Sequence, residues 1–441
     1  MINKIFKFRG GVVLDHKKST ADSPVENFPL PKTIEIFMQQ HIGAPCLPLV
    51  KKGDYVYVGQ KVGDSEAFVS APIHSGVSGQ VKEIKDVILY NGMKSKSIVI
   101  ETDGKQEVLP DLKIPDISSK ELFLQAIRDC GMTGLGGAGF PTHVKLNTRD
   151  RIPEFLVINA VECEPFITCD YRAVLERSKE IFQGIQLCLD KLSIPKAIIG
   201  IEDDKMPAVE ILKDLCKGDS RIETLVLKTK YPQGAEKMLI YALTGRKVPM
   251  GGLPIDIGVV VMNITTVMMI NNYIKSGMPL VSRIVTIDGE GIEKKGNYEI
   301  IFGTSIRDIY DYCKKEDGSE EDVTKILYGG PMNGLTVRDF DRPLLKQNNA
   351  ILFMTKKELN LEKESACIRC GRCVENCPMS LMPLMMNKYA LLEDVEQLEK
   401  LNISNCIECG VCSYVCPAKR HLVQSFKMGK ELLRKERSKN G

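Results

Sequence analysis

Two short stretches toward the end of the chain, CIRCGRCVENCP (residues 367–378) and CIECGVCSYVCP (residues 406–417), carry one pattern written twice. Cys367, Cys370, Cys373 and Cys377 repeat as Cys406, Cys409, Cys412 and Cys416, and each set is closed by a proline. Thiolate is a soft ligand, so zinc and iron–sulfur centres are both open until spacing is considered. Structural zinc usually takes paired CxxC knuckles, whereas CxxCxxCxxxCP is the spacing of a [4Fe–4S] cube. In a two-cluster arrangement the fourth cysteine crosses to the other cube. The spacing therefore assigns Cys367, Cys370, Cys373 and Cys416 to one cluster, and Cys406, Cys409, Cys412 and Cys377 to the other. Gly371 and Gly410 occupy equivalent places where a side chain is expected to crowd the cluster. Two such centres side by side predict one-electron transport, with a direction that spacing alone does not set.

The chain has 15 cysteines in all, and the other seven (Cys46, Cys130, Cys163, Cys169, Cys188, Cys216 and Cys313) are scattered. Scattered single cysteines are expected to be small core residues. MINKIFKFRGG at the start lacks the apolar stretch and cleavage site of a secretory signal, which predicts a cytoplasmic protein. Lys+Arg 60 against Asp+Glu 57 excludes nucleic acid as a main partner. The longest apolar candidate, residues 257–270, contains Asn263, Thr265 and Thr266 and falls short of the roughly 20 residues that span a bilayer. Any membrane association is then peripheral.

At 441 residues the chain is expected to be multidomain, α/β plus β. Residues 1–110 hold short alternating runs between glycine turns, which predicts a small all-β unit. LPDLKIPDISS (residues 109–119) reads as a linker. Residues 120–275 alternate helical patterns with the apolar runs FLVINAV, KAIIGI, ETLVLK and IGVVVMN, the signature of an α/β sheet with parallel strands. Residues 276–337 show two β-like runs and a helix, N-capped by Thr304 or Ser305, as in a β-grasp module. Residues 338–425 carry the cysteine repeat on a mainly helical background, and residues 426–441 form a basic tail.

GLGGAGFPTHVKL (residues 134–146) contains a literal GxGxxG. A dinucleotide fingerprint must follow a strand and open a long helix. Here a helical pattern, KELFLQAIRDC, precedes it and Pro141 follows it closely. The glycines retain a physical meaning, since backbone N–H groups without flanking Cβ atoms can approach a phosphate or a planar ring. A glycine-rich turn with no ligand is the alternative.

GLGGAGFPTHVKL resembles the GRGGAGFPTGLKW loop of the flavin subunit of respiratory complex I. NAVECEP (residues 159–165), YPQGAEKML (residues 231–239) and VVVMNITTV (residues 259–267) resemble further segments of that subunit, in the same order. GD-x-V-x-x-GQ-x-V-x-D in the first segment resembles the barrel-sandwich fold of biotinyl and lipoyl carriers. The place of the carrier lysine reads SEAFVSAP, without lysine, and Met93-Lys94 lies beyond it, so a docking barrel is expected. The whole order of a lysine-free barrel, a flavin-type domain, a β-grasp (SLBB-like) module and a helical two-[4Fe–4S] ferredoxin domain resembles the C subunit of the Rnf complex.

That resemblance implies FMN held by Gly134, Gly136, Gly137, Gly139, Lys145, Asn159, Glu162, Gly234, Ala235, Glu236, Asn263 and Thr266. It also implies NAD(H) as substrate, ferredoxin and other Rnf subunits (integral membrane and ferredoxin-like) as partners, and a peripheral place on the cytoplasmic face of the membrane. The implied activity is reversible electron transfer from reduced ferredoxin through two clusters and FMN to NAD+, coupled by other subunits to Na+ or H+ transport. Leu135, His143, Val161 and Ala235 depart from the complex I pattern. They leave open a non-catalytic iron–sulfur relay, and a soluble electron-transfer subunit serving an amino-acid reductase is a further alternative.

Overall fold

The computed structural model describes residues 5–90, 92–149, 151–337, 339–359 and 362–439. Its first strand, β1 (Val25–Asn27), belongs to a sheet formed mostly by residues from the second half of the chain. The barrel proper starts at β2 (Thr33–Phe37). It continues through β3 (Leu47–Pro48), β4 (Tyr55–Val56), β5 (Lys61–Asp64), β6 (Ile73–His74), β7 (Gly79–Ile88) and β8 (Lys94–Thr102). Two sheets, β2-β8-β7-β4 and β3-β5-β6, enclose Ile34, Ile36, Val62, Val81, Ile98 and Ile100. The alternation of these residues with charged ones, such as Lys82 and Lys96, is what turns one face of each strand inward.

Within the expected unit of residues 1–110, the barrel strands themselves span residues 33–102. Residues before Thr33 act as a strap over the rest of the molecule. Val12 bridges Tyr231, Gly11 N–H donates to the Asn376 carbonyl at 2.9 Å, and β1 pairs in parallel with a strand at residues 296–301. Backbone hydrogen bonds to partners so distant in sequence have no local signature.

Ser119 accepts from Leu122 N–H and so caps α1 (Lys120–Asp129), which ends the linker where sequence places it. The glycine loop follows, then the five-residue α2 (Thr142–Leu146). Next come β9 (Phe155–Ala160), α3 (Cys169–Leu192), β10 (Ala197–Glu202), α4 (Met206–Cys216), β11 (Ile222–Leu227), α5 (Glu236–Thr244), β12 (Val259–Asn263) and α6 (Ile264–Ser276). The four strands are all parallel, in the order β11-β10-β9-β12, as their uninterrupted apolar runs require.

The barrel is fixed to this domain by charge. Arg128 of α1 donates to Asp64 and to the Ser65 carbonyl, each at 2.8 Å. Lys346, fully buried, donates to the carbonyls of Pro72 in the barrel (2.8 Å) and Gly131 after α1 (2.7 Å). The SEAFVSAP segment, where a carrier would present its lysine, is thus docked rather than projecting.

The next sheet has six strands in the order β1-β14-β13-β17-β15-β16. Its strands are β13 (Ser282–Asp288), β14 (Gly296–Ile301), β15 (Lys325–Tyr328), β16 (Leu335–Val337) and β17 (Ala350–Met354), with α7 (Ile306–Cys313) capped by Ser305. The module was expected to end at residue 337, but β17 is fully buried between β13 and β15 and completes it. The expected boundary at Arg338 lies outside the described residues. One apolar core runs from Phe123 through Ile158 and Ile287 to Phe353, so no break in packing separates this module from the parallel sheet.

The last part contains α8 (Arg372–Glu375), α9 (Pro383–Leu391), α10 (Val395–Lys400), α11 (Val411–Tyr414) and α12 (Leu422–Lys439). Met386, Leu398, Ile403, Phe426 and Leu433 pack together. The basic tail expected from residue 426 is instead the body of α12, because Phe426 and Leu433 bury one face of it. Among the described residues, no helix is long and apolar enough to cross a membrane.

Candidate redox centre

From β9 the chain moves outward to β10 and β11, then returns to lay β12 on the other side of β9. Such a reversal opens a crevice at the C-terminal ends of β9 and β12, the usual place for a ligand in an open parallel sheet. Asn159 and Asn263 face each other there as register partners. Asn159 accepts from Val161 N–H (3.0 Å) and donates to the Gly234 carbonyl (2.9 Å). Asn263 caps α6 by accepting from Thr265 N–H (2.9 Å) and Thr266 N–H (3.2 Å), and donates to Asp170 at 2.6 Å.

The glycine loop lies over this helix start. Leu135 N–H donates to the Thr266 hydroxyl at 3.1 Å, and a Cβ on Gly136 would stand 2.6 Å from the Asn263 amide nitrogen. Gly136, Gly137 and Ala138 are exposed, and among the described residues their N–H groups donate to no protein atom. An added Cβ on Gly137 meets nothing within 4 Å, and Gly139 takes φ +69°. Gly134 closes the loop by donating to the Phe140 carbonyl at 2.9 Å. Free backbone donors on an open loop above a helix N-terminus suit a phosphate and a flat polar ring, so these residues fit FMN.

Across the crevice, Lys145 of α2 pairs with Glu236, the first residue of α5, at 2.6 Å. Ala235 is the residue before that helix, and Gly234 N–H points to the Cys163 sulfur at 3.5 Å. Glu162 stands apart from the open face. It is buried and accepts from Asp170 N–H at 2.8 Å, while Lys18 of the strap donates to its carbonyl. Burial pushes its carboxyl up to about 7, against the opposing pull of Lys18. Glu162 therefore reaches the crevice through Asp170, which holds Asn263 and also accepts from the Thr265 hydroxyl (2.5 Å). Asp170 and Lys18 were missed by sequence reasoning, and Asp170 lies in no motif read from the sequence.

The departures from the complex I pattern are mostly turned inward. Leu135, His143 and Val161 are buried, and burial lowers His143 to about 4. Cys163 is also buried, and its thiol is pushed up by that burial.

In the cysteine region the two loops are alike in backbone. Gly371 and Gly410 both take φ +79° and open the one-turn helices α8 and α11. A Cβ on Gly371 would meet no protein atom, and the left-handed backbone at both positions by itself favours glycine. Seven of the eight thiols neighbour members of their expected sets. Cys373 feels the charge of Cys416 and Cys367, whereas Cys406, Cys409 and Cys412 each feel that of Cys377. Cys377, Cys406, Cys409 and Cys412 line one common pocket. Among the described residues, no three Cys, His, Asp or Glu side chains converge closely enough for a single metal ion. Thiols arranged around a space rather than a point fit a cube cluster better than zinc.

The two sets differ in surroundings. Cys367 and Cys370 are exposed, as is Ile368 between them. The second loop is packed inward: Val411 joins the core of Val161, Cys163 and Tyr231, and the Tyr231 hydroxyl donates to the Cys409 carbonyl at 2.8 Å. Residues 327–334 (LYGGPMNG), at the end of the expected β-grasp segment, also pack against this loop. Met332 N–H donates to Glu164 at 3.2 Å, and the Met332 carbonyl lies against Gly410.

Comparison with known proteins agrees with this layout. A protein of Clostridium ljungdahlii, named as the C subunit of a proton-translocating ferredoxin:NAD(+) oxidoreductase complex, is 44% identical over 424 residues, covering 95% of this chain and 92% of that protein. The chain belongs to this family of C subunits. A second member of the family, from Acetobacterium woodii, is named for a Na(+)-translocating ferredoxin:NAD(+) oxidoreductase complex and is 40% identical, with 98% of each chain covered. Residues 6–105 match the RnfC barrel sandwich hybrid domain, residues 127–272 the Nuo51 FMN-binding domain, and residues 359–417 a 4Fe-4S dicluster domain. An NAD+-reducing [NiFe]-hydrogenase shares the fold with TM-score 0.52 at 19% identity, over 73% of this chain and 67% of that one.

Proposed function

We propose that this chain is the NAD(H)-facing electron-transfer subunit of a ferredoxin:NAD+ oxidoreductase complex. In this reading FMN lies on the open face of Gly134–Gly139, with Asn159, Asn263 and Thr266 setting the floor and Gly234, Ala235, Glu236 and Lys145 the far wall. Two [4Fe–4S] clusters are held by the crossed cysteine sets. When bound, FMN supplies the conversion between hydride, which a nicotinamide exchanges, and single electrons, which clusters carry. The protein's task is then to hold these groups in sequence and keep water out, and no side chain is needed as a general acid or base.

The observation that carries this reading is one turn. Tyr231 contacts the Cys409 carbonyl, and three residues later Gly234 is tied to Asn159 beside the glycine loop. A path between a cluster and the flavin crevice thus runs through a single short segment. The exposed set of Cys367 and Cys370 becomes the side that meets an external one-electron donor. The inward burial of Leu135, His143 and Val161 favours a retained flavin site over a relay without one, because these changes sit behind the loop's open face.

Ion transport, to Na+ or H+, is assigned to other subunits, and the chain associates peripherally with them at the cytoplasmic face. The decisive experiment is analysis of purified protein for FMN, iron and sulfide, together with NADH oxidation by an artificial acceptor. Flavin and two clusters with NADH oxidation support the proposal. Iron and sulfide without flavin or NADH oxidation would replace it with the relay, and copurification with soluble reductase components instead of membrane subunits would reassign the partner.

A further inference from the structure

The two cysteine loops are equivalent in sequence and unequal in what donates to them. In the second loop, the Tyr231 hydroxyl donates to the Cys409 carbonyl at 2.8 Å and the Lys430 ammonium to the Cys406 carbonyl at 2.7 Å. Lys430 comes from α12 and also pairs with Glu408 at 2.5 Å, with Lys427 3.9 Å from the same carboxylate. At the first loop, no side chain among the described residues donates to the carbonyls of Cys367 or Cys370, and both residues are exposed.

A cube on four thiolates is anionic and takes on further negative charge when reduced. Burial disfavours that added charge, while hydrogen-bond donors and nearby cations favour it. The second set is the more enclosed one, so its surroundings alone would make it the poorer electron acceptor.

We propose that Tyr231 and Lys430 are positioning residues that raise the reduction potential of the inner cluster, offsetting its burial so that it can accept electrons from the exposed one. This rests on the ligand sets proposed above. Neither residue is among the proposed cluster ligands or flavin contacts. Each acts through the carbonyl of a ligand cysteine.

The test is a redox titration of the purified full chain, followed by the electron paramagnetic resonance of each cluster, in Tyr231→Phe, Lys430→Gln and Lys430→Arg. Phe keeps the packed ring and removes only the hydroxyl. One midpoint potential is expected to become more negative in Tyr231→Phe and in Lys430→Gln, the other to stay in place, and Lys430→Arg to retain the original value. Midpoints that do not move, or that move together, overturn the proposal. So does loss of iron in both Tyr231→Phe and Lys430→Gln, which would make the two residues merely structural. Wild-type protein with far fewer than about eight irons per chain would instead sink the ligand sets themselves.

Discussion

Asn159 and Asn263 stand opposite each other at the ends of adjacent parallel strands, one tying down the Gly234 turn and the other capping α6 beneath the glycine loop. Replacing Asn263 by Ala removes the cap and leaves Asp170 short of a donor, at a cost of about 2 kcal/mol. Chemical denaturation is expected to show that loss, and the purified variant is expected to carry less FMN. An unchanged flavin content would separate Asn263 from the site.

Gly136 and Gly137 are neighbours with different reasons to be glycine. A methyl at Gly136 collides with Asn263, so Gly136→Ala is expected to lower both stability and FMN content. A methyl at Gly137 meets no protein atom. Gly137→Ala should therefore leave the melting temperature of flavin-free protein unchanged while reducing FMN retention. Full retention in Gly137→Ala would mean that the cofactor does not lie on the loop's open face.

The proposed crossed ligand sets would place Cys377 in the second cluster although it lies in the first loop. Cys377→Ser is expected to abolish the resonance of the inner cluster and spare that of the exposed one. Loss of the exposed cluster's signal alone would reverse the assignment.

Gly371 and Gly410 share a backbone angle, and a left-handed residue other than glycine costs about 1 kcal/mol. Only at Gly410 does a new Cβ also meet the Met332 carbonyl, 2.5 Å away. Thermal unfolding should accordingly place Gly410→Ala well below Gly371→Ala. Equal losses would argue that the Met332 contact yields easily.

Glu162 has a carboxyl pushed up to about 7 in the folded protein from an ordinary value of 4.5. The folded state then holds this proton more tightly than the unfolded chain, so the associated stability is present below about 4.5 and is lost as pH rises through about 7. Glu164 and Glu202 are raised to the same region, mainly by burial. Glu162→Gln should flatten, without abolishing, the fall in stability between these limits. A denaturation series across that range checks it, and an unaltered slope would count against a protonated Glu162.

Much of the architecture was legible because it is written locally. Apolar runs such as IGVVVMN are long enough to be strands and too uninterrupted to have a wet face, and they became the parallel sheet. KELFLQAIRDC before the glycine loop argued against a dinucleotide fingerprint, and α1 stands there. What was not legible lay in partners far apart in sequence: β17 entering the six-stranded sheet, the strap before Thr33, and Asp170 linking Glu162 to Asn263.

The cysteine repeat shows the division most clearly. Spacing within a dozen residues fixes how many thiolates converge and in what pattern, since loop geometry allows few alternatives. Spacing is the same in both loops and so is silent on their difference. Only packing decided that Cys409 meets Tyr231, that Lys430 turns back to Cys406, and that Cys367 and Cys370 face water. Potential, burial and access depend on atoms brought together across long stretches of chain, and those come only with the tertiary structure.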